Sequence, residues 1–337
     1  RGLGDVYKRQ GYVPTTYTRI REQNLAGYAQ YSHPLPFGQA NIGLRYEHVD
    51  FDYFENATFV PGQSRVYDNI FPNISVNGQL GKVQFQVSYA AKTQRPNYSQ
   101  LRNNITYANR FTWQTGNPLL KPSVTHDITA VGVWRFFQAM VSYKVVRDYI
   151  LYWGTQVENQ SATTLINYIN HDRLPSLTVM LAASPTIGIW NLNASAIVMK
   201  QWFSLDAAGQ RRTYNNPLFV GSLNNTFTLP AGFLLSADFN YQSRGQVQNI
   251  TLKRPQYTLN IGLRKSLFND ALSIEARAND LLLGCKQEAL LYMESAQMKD
   301  LSWSDTRSFS LTVRYKFNAA KSKYKGTGAG QDTINRM

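Results

Sequence analysis

Apolar and polar residues alternate one by one through most of this chain. Val83, Phe85, Val87 and Tyr89 are interleaved with Lys82, Gln84, Gln86 and Ser88. Phe233, Leu235, Ala237, Phe239 and Tyr241 alternate with Ser236, Asp238, Asn240 and Gln242, and Tyr257, Leu259, Ile261 and Leu263 with Thr258, Asn260, Gly262 and Arg264. The same period closes the chain, where Phe309, Leu311, Val313, Tyr315 and Phe317 alternate with Ser308, Ser310, Thr312, Arg314 and Lys316. Successive strand side chains point to opposite faces, so each segment predicts a strand with one apolar and one polar face. No helical stretch interrupts them.

Length separates a soluble sandwich from a membrane wall. The clean alternations last about nine to twelve residues, against about five or six for soluble strands and about nine to eleven for a tilted membrane strand. Trp134, Phe136 and Phe137 cluster at one end of a strand and Tyr149, Tyr152 and Trp153 at the other, a spacing that predicts two aromatic girdles. Short turns (77–82, 135–138, 229–232, 267–271) alternate with longer polar stretches (53–65, 95–122, 204–214, 284–302), so one rim carries turns and the other loops. The expected fold is all-β, a transmembrane antiparallel up-and-down β-barrel, with about thirteen strands of which the first and last run from the loop side to the turn side. An odd count is not a complete bacterial barrel.

Composition changes this picture little. Of 337 residues, 13% are aromatic and 17% charged, which fits a folded chain. No apolar run approaches the roughly 20 residues of a membrane helix. Cys285 is the single cysteine, so an intramolecular disulfide and a thiolate metal cage are excluded. Residues 1–10 resemble the translated read-through of a sequencing adapter and are expected to stand outside the fold; their removal lowers the formal charge of +14 by two. The remaining basic residues, such as Arg45, Lys144, Arg264 and Arg314, are dispersed on polar faces, which suits a charged lumen, lipopolysaccharide or an anionic ligand and gives no nucleic-acid stripe. His33, His48, His126 and His171 are scattered, and Asp50-Phe51-Asp52 reads as a solvated strand end leaving for a loop. Without a metal spacing or a G-x-S-x-G elbow, no metal, cofactor or catalytic residue is expected.

One stretch carries more. Gly116, Pro118 and Pro122 make a rigid entrance to the strand that follows, since each proline fixes its own φ and biases the residue before it toward extended backbone. With Arg95, Pro96, Tyr98 and Leu101 upstream, the order R-P-x-Y-x-x-L then G-N-P-x-L-x-P resembles TonB-dependent outer-membrane receptors, the positions being filled by Arg95, Pro96, Tyr98, Leu101, Gly116, Asn117, Pro118, Leu120 and Pro122. Asn279-Asp280-Leu281 and the final strand through Phe309, Tyr315 and Phe317 are similar to the Bacteroidetes-type outer-membrane β-barrel proteins of the same family.

The resemblance implies a barrel of twenty-two strands, an N-terminal plug and energy relayed through the TonB complex. Residues 11–318 would then be the C-terminal part of the barrel, about its last thirteen strands, and 319–337 a basic periplasmic tail. Neither plug nor TonB-contacting segment is in this sequence. Implied partners are outer-membrane lipid and lipopolysaccharide, TonB through the missing plug, and an imported ligand that is a siderophore, cofactor, oligosaccharide or peptide. The alternative is a barrel for adhesion or structure without active transport. Val83, Phe85, Val87 and Tyr89 should face lipid with Gln84, Gln86 and Ser88 toward the lumen, and the loop from Arg95 to Pro122 is the first candidate for ligand contact.

Overall fold

Alternation is realised as one long antiparallel meander. The computed structural model describes residues 17–109, 111–157, 160–294 and 297–317; the ten-residue leader and the basic tail lie outside them. The main sheet has seventeen strands, four of them short pieces in turns and loops. The other thirteen form the wall: β1 (Thr18–Leu35), β2 (Gly38–Glu55), β3 (Arg65–Leu80), β4 (Val83–Gln94), β5 (Ser123–Trp134), β6 (Phe137–Val157), β7 (Gln160–Ala183), β8 (Trp190–Gln201), β9 (Leu218–Leu229), β10 (Phe233–Gln242), β11 (Gln256–Leu267), β12 (Leu272–Asn279) and β13 (Ser308–Tyr315). Each pairs antiparallel with its sequence neighbours. β1 and β13 do not pair with each other, so the wall is open, and both run from the loop rim to the turn rim.

Register shows what each face is made of. Directly paired residues share a face, and one ladder runs Tyr31, Ile42, Ile74, Tyr89, Ile128 and Tyr143. On the opposite face, Asn193, Asn224, Asp238 and Asn260 stand in line, as do Ser195, Ser222, Asn240 and Thr258. Hydroxyls and amides there satisfy one another, as where Ser222 Oγ donates to Asn240 Oδ1 at 2.9 Å and Ser142 Oγ to Asp127 Oδ1 at 2.8 Å. Val83, Phe85, Val87 and Tyr89 all fall on the apolar face, with Gln84, Gln86 and Ser88 on the polar one. On β3 the outward residues from Ile70 to Leu80 form an unbroken apolar run. Ten steps of about 3.3 Å at a tilt near 40° make about 25 Å, the height of a barrel's lipid band. Above Ile70 the outer face turns polar, with Tyr46 Oη donating to Asp68 Oδ1 at 2.6 Å beside His48.

Four sequence expectations need correction. Trp153 is buried, and Tyr149 and Tyr152 are half-buried against packed clusters, so they are not a lipid girdle. The reason is that β6, with 21 residues, continues past the band into the loop rim, where other loops cover it on both sides. Asp50 and Asp52 lie within β2, not at its end; they are opposite Gln23 and Arg21, while Phe51 between them turns inward and is buried. The motif around Tyr98 is not plain loop but a helical turn, Tyr98–Leu101. The last strand stops at Tyr315, because its partner β12 begins at Leu272 opposite that residue, and Phe317 lies beyond it.

Candidate functional site

The buried side chains gather at the loop rim, not along the wall. Three apolar clusters lie there, and the first is built on the loop between β4 and β5. Pro96 biases Arg95 toward extended backbone, and Asn97 then caps the turn Tyr98–Leu101: its side chain accepts from Gln100 N at 2.9 Å while Gln100 Oε1 accepts from Asn97 N at 3.0 Å. That turn drives Leu101 inward against Phe51, Tyr53 and Leu120, of which Tyr53 is 0% and Leu120 2% exposed. Tyr98, at 63%, faces out.

The return limb is held by backbone-directed hydrogen bonds. A Cβ on Gly116 would sit 2.4 Å from the Gln100 carbonyl oxygen and 2.5 Å from that of Arg102, so only glycine allows the two limbs to touch. Asn117 N donates to Gln100 O at 2.6 Å, and its side-chain Nδ2 donates to Tyr168 O at 2.9 Å, which ties the loop to β7. Arg65 reaches across from β3 and donates to the carbonyls of Pro118, Leu119 (3.0 Å) and Leu120 (2.9 Å). Lys121 N donates to Asn170 Oδ1 at 2.8 Å. Arg95, Pro96, Leu101, Leu120 and Pro122 line one small cavity with Glu22 and Tyr67. Eight of the nine motif residues therefore converge on the inner rim, and Tyr98 alone stands out from it. Phe309 and Tyr315 lie elsewhere, on the outer face of β13.

Charge locks the same place. Arg95 Nη1 donates to Glu22 Oε1 at 2.7 Å and Nη2 to Glu47 Oε2 at 2.8 Å, while Arg45 Nε donates to Glu47 Oε1 at 2.7 Å. The Glu47 side chain is 9% exposed, so its charge depends on both guanidinium partners. Neither carboxylate was legible as a partner in the sequence, because register, not spacing, brings β1 and β2 under Arg95.

The outer half of the β6–β7 hairpin is wedged between loops. At Asp148, with φ 49, the alternation slips, and beyond it Leu151 and Trp153 join Leu174 in a cluster with Phe203, Leu205, Ala207 and Tyr214. Those four come from the loop hairpin Ser204–Ala207 with Gln210–Thr213 and its flanks. Ile150 and Tyr168 pack instead on the Phe51 cluster, and Tyr152 on Ile166, Leu291 and Met293. Burial pushes the Tyr214 phenol up to about 12, and its hydroxyl has no hydrogen-bond partner among the described residues. At the last loop, Asp280 accepts from Thr306 Oγ1 at 2.5 Å and from Gly284 N at 3.3 Å, so the Asn279-Asp280-Leu281 element fastens both ends of that loop. Among the described residues no group of three His, Cys, Asp or Glu side chains could hold a metal. What this arrangement offers is a surface that exposes Tyr98, Leu119 and Tyr107, the last edge-on against the half-buried Trp113.

The sequence matches the outer membrane protein beta-barrel family over residues 12–315. The chain belongs to that family. It is therefore an outer-membrane protein, and its apolar face meets lipid. No protein with a curated description matches it. Among solved structures it is similar to the FrpB iron transporter from Neisseria meningitidis, with a TM-score of 0.55 and 14% identity over 88% of this chain and 45% of that one. It is also similar to the copper transporter OprC (TM-score 0.61, 12% identity, 88% of this chain and 48% of that one). A third is the ferric-catecholate import receptor Fiu from K12 E. coli (TM-score 0.57, 12% identity, 89% and 45%). The chain thus spans about half the length of each. At these identities the likeness is one of fold.

Proposed function

We propose that this chain supplies thirteen wall strands and the associated loops of a TonB-dependent importer in the outer membrane. The observation that carries the reading is the rim itself. An adhesion or structural barrel needs only a wall, whereas here three packed clusters and a buried charge network fix loop backbone over the loop end of the lumen. The likeness to iron and copper transporters and a ferric-catecholate receptor supports the same direction, as does the receptor-like order of the motif from Arg95 to Pro122. The turn rim would face the periplasm and the loop rim the exterior. The lumen would be filled by a plug that engages TonB, and the ligand would meet Tyr98, Leu119 and the Tyr107–Trp113 pair.

Transport in cells tests this. A strain lacking the gene is compared with its parent for accumulation of radiolabelled ferric siderophores, copper, cobalamin, oligosaccharides and peptides, with and without an uncoupler. Accumulation of one probe that needs both the gene and the proton gradient supports import. Surface binding without gradient-dependent accumulation of any probe would leave the adhesion or structural reading in its place.

A further inference from the structure

On its lipid-facing side the wall sinks, between β4 and β10, into a hollow of about 800 Å³ whose surface is almost wholly apolar. Register explains the depression. One ladder across the sheet runs Gly132, Ala139, Leu181, Ala196, Gly221, and the next contributes Ala183 and Ala194, so small residues, Leu181 apart, replace the large ones found elsewhere on this face. A Cβ placed on Gly132 would meet nothing within 4 Å, so no neighbour fills the floor. Rings bound the hollow on two sides: Trp134 and Phe137 lie stacked with centroids 5.9 Å apart, and Phe219 and Tyr241 6.1 Å apart. It sits well inside the wall, several strands from either open edge.

The end nearest the turns is cationic. Val83 pairs with Trp134 as the last pair before two turns, and Arg135 opens the second of them. It is exposed, and its guanidinium carbon lies 5.1 Å from the centroid of Trp134, itself a wall of the hollow. The four turns at 36–37, 81–82, 135–136 and 184–189 contain no Asp or Glu. A ligand suited to this place has a long apolar chain and an anionic end that reaches the membrane boundary. A second copy of the protein or another membrane protein could fill an apolar hollow, but neither is selected by a cation at its mouth.

We propose that the hollow retains one phospholipid, an acyl chain lying over Gly132, Ala139 and Ala196 as far as the Phe219 ring that covers Gly221, and its phosphate held by Arg135. A phosphate accepts charge-assisted hydrogen bonds from a guanidinium, and basic residues at a membrane boundary attract anionic lipid. The assignment rests on the turn rim being periplasmic, the side on which the outer membrane carries phospholipid, and is independent of what the protein transports.

Native mass spectrometry of the protein purified from outer membranes, delipidated in mild detergent and titrated with dipalmitoyl phosphatidylglycerol, phosphatidylethanolamine or diacylglycerol tests it. One phospholipid adduct should survive activation with either phosphate-bearing lipid, and diacylglycerol, with the same tails, should be retained at least tenfold less. Arg135→Gln, and separately Gly132→Leu with Ala196→Leu, should each lower retention at least tenfold. Ala276→Leu, which adds bulk to the same outer face on β12, should leave it unchanged. If the filled hollow prevents assembly, judged by heat-modifiable migration, Arg135→Gln adds no bulk and carries the test. Equal retention of diacylglycerol, full retention by the variants, or an adduct with the mass of a second chain would each overturn the proposal. Lost transport with lipid retention intact would count against the importer reading alone.

Discussion

Removing the Arg95 guanidinium should undock the loop without opening the wall. Two charge-assisted hydrogen bonds would be lost, to Glu22 at 2.7 Å and Glu47 at 2.8 Å. Hydrogen bonds to charged groups contribute about 1.5–3 kcal/mol each, and the lower end applies because the Arg95 side chain is itself 27% exposed and water regains part of the interaction. Glu47 keeps Arg45, which limits the penalty further. The expected cost of Arg95→Met is about 2 kcal/mol, about a thirtyfold shift in the local docking equilibrium at 1.4 kcal/mol per tenfold. The loss should be confined to elements that Arg95 ties together. Hydrogen exchange in the purified barrel reads this directly: the amides of Gln100, Asn117 and Leu120, which are bonded within the docked loop, should exchange about thirtyfold faster, while those of β8 to β11 stay as they are. Arg95→Lys, able to reach one carboxylate at a time, should lose about half as much free energy. Unchanged exchange at the three amides, or acceleration spread evenly over the wall, would refute the idea that this network fastens the loop locally.

Other changes probe different parts of the molecule. Phe85→Arg places a charge on the lipid face and should cost about 2–4 kcal/mol at mid-bilayer, whereas Gln84→Arg on the polar face should assemble normally; equal heat-modifiable yields for the two would reverse the assigned faces. Tyr214→Phe removes a buried hydroxyl that has no partner among the described residues and should leave the thermal midpoint unchanged or raise it. Because the folded phenol is raised to about 12, the native rim favours the protonated form; that contribution is complete below pH 10 and is lost as pH climbs toward 12, so the wild type alone should lose this stability in alkaline melts. Deleting residues 104–109 removes the tip, exposed at 106–109, while sparing Asn103, whose Oδ1 accepts from Thr18 Oγ1 at 3.0 Å. Uptake of the transported probe should fall with the barrel intact, and normal uptake would exclude this tip from the ligand path.

The wall was legible because a strand half-buried in lipid must alternate, and its short turns carry readable punctuation. Rim residues escaped because they obey a different rule. Leu151 and Trp153 face one cluster while Ile150 and Tyr152 face others, so β6 becomes apolar on both sides and loses the period that marks a membrane strand. The slip at Asp148, a non-glycine residue with φ 49, has no sequence signal, which is why Tyr149, Tyr152 and Trp153 looked like a girdle. Within the motif, the rigidity conferred by Gly116 and Pro118 could be read, but not what the segment docks against. Arg65, Asn170, Glu22 and Glu47 enter through strand register, a property of the sheet as a whole.

The nearest-neighbour meander has a bearing on the order in which the molecule is put together. Every wall strand pairs with the strand beside it in sequence, so most hairpins close only a short stretch of chain, and such local contacts form early. The rim joins distant segments: Thr18 with Asn103, Arg65 with Leu120, and Asn249 with Tyr152, 97 positions apart. Those contacts carry the loop-closure entropy and can form only once the strands beneath them hold their register. The surface that would meet a ligand is thus the last part of the protein to mature, and a wall could be inserted, apparently complete by its migration, while still blind to what lies outside.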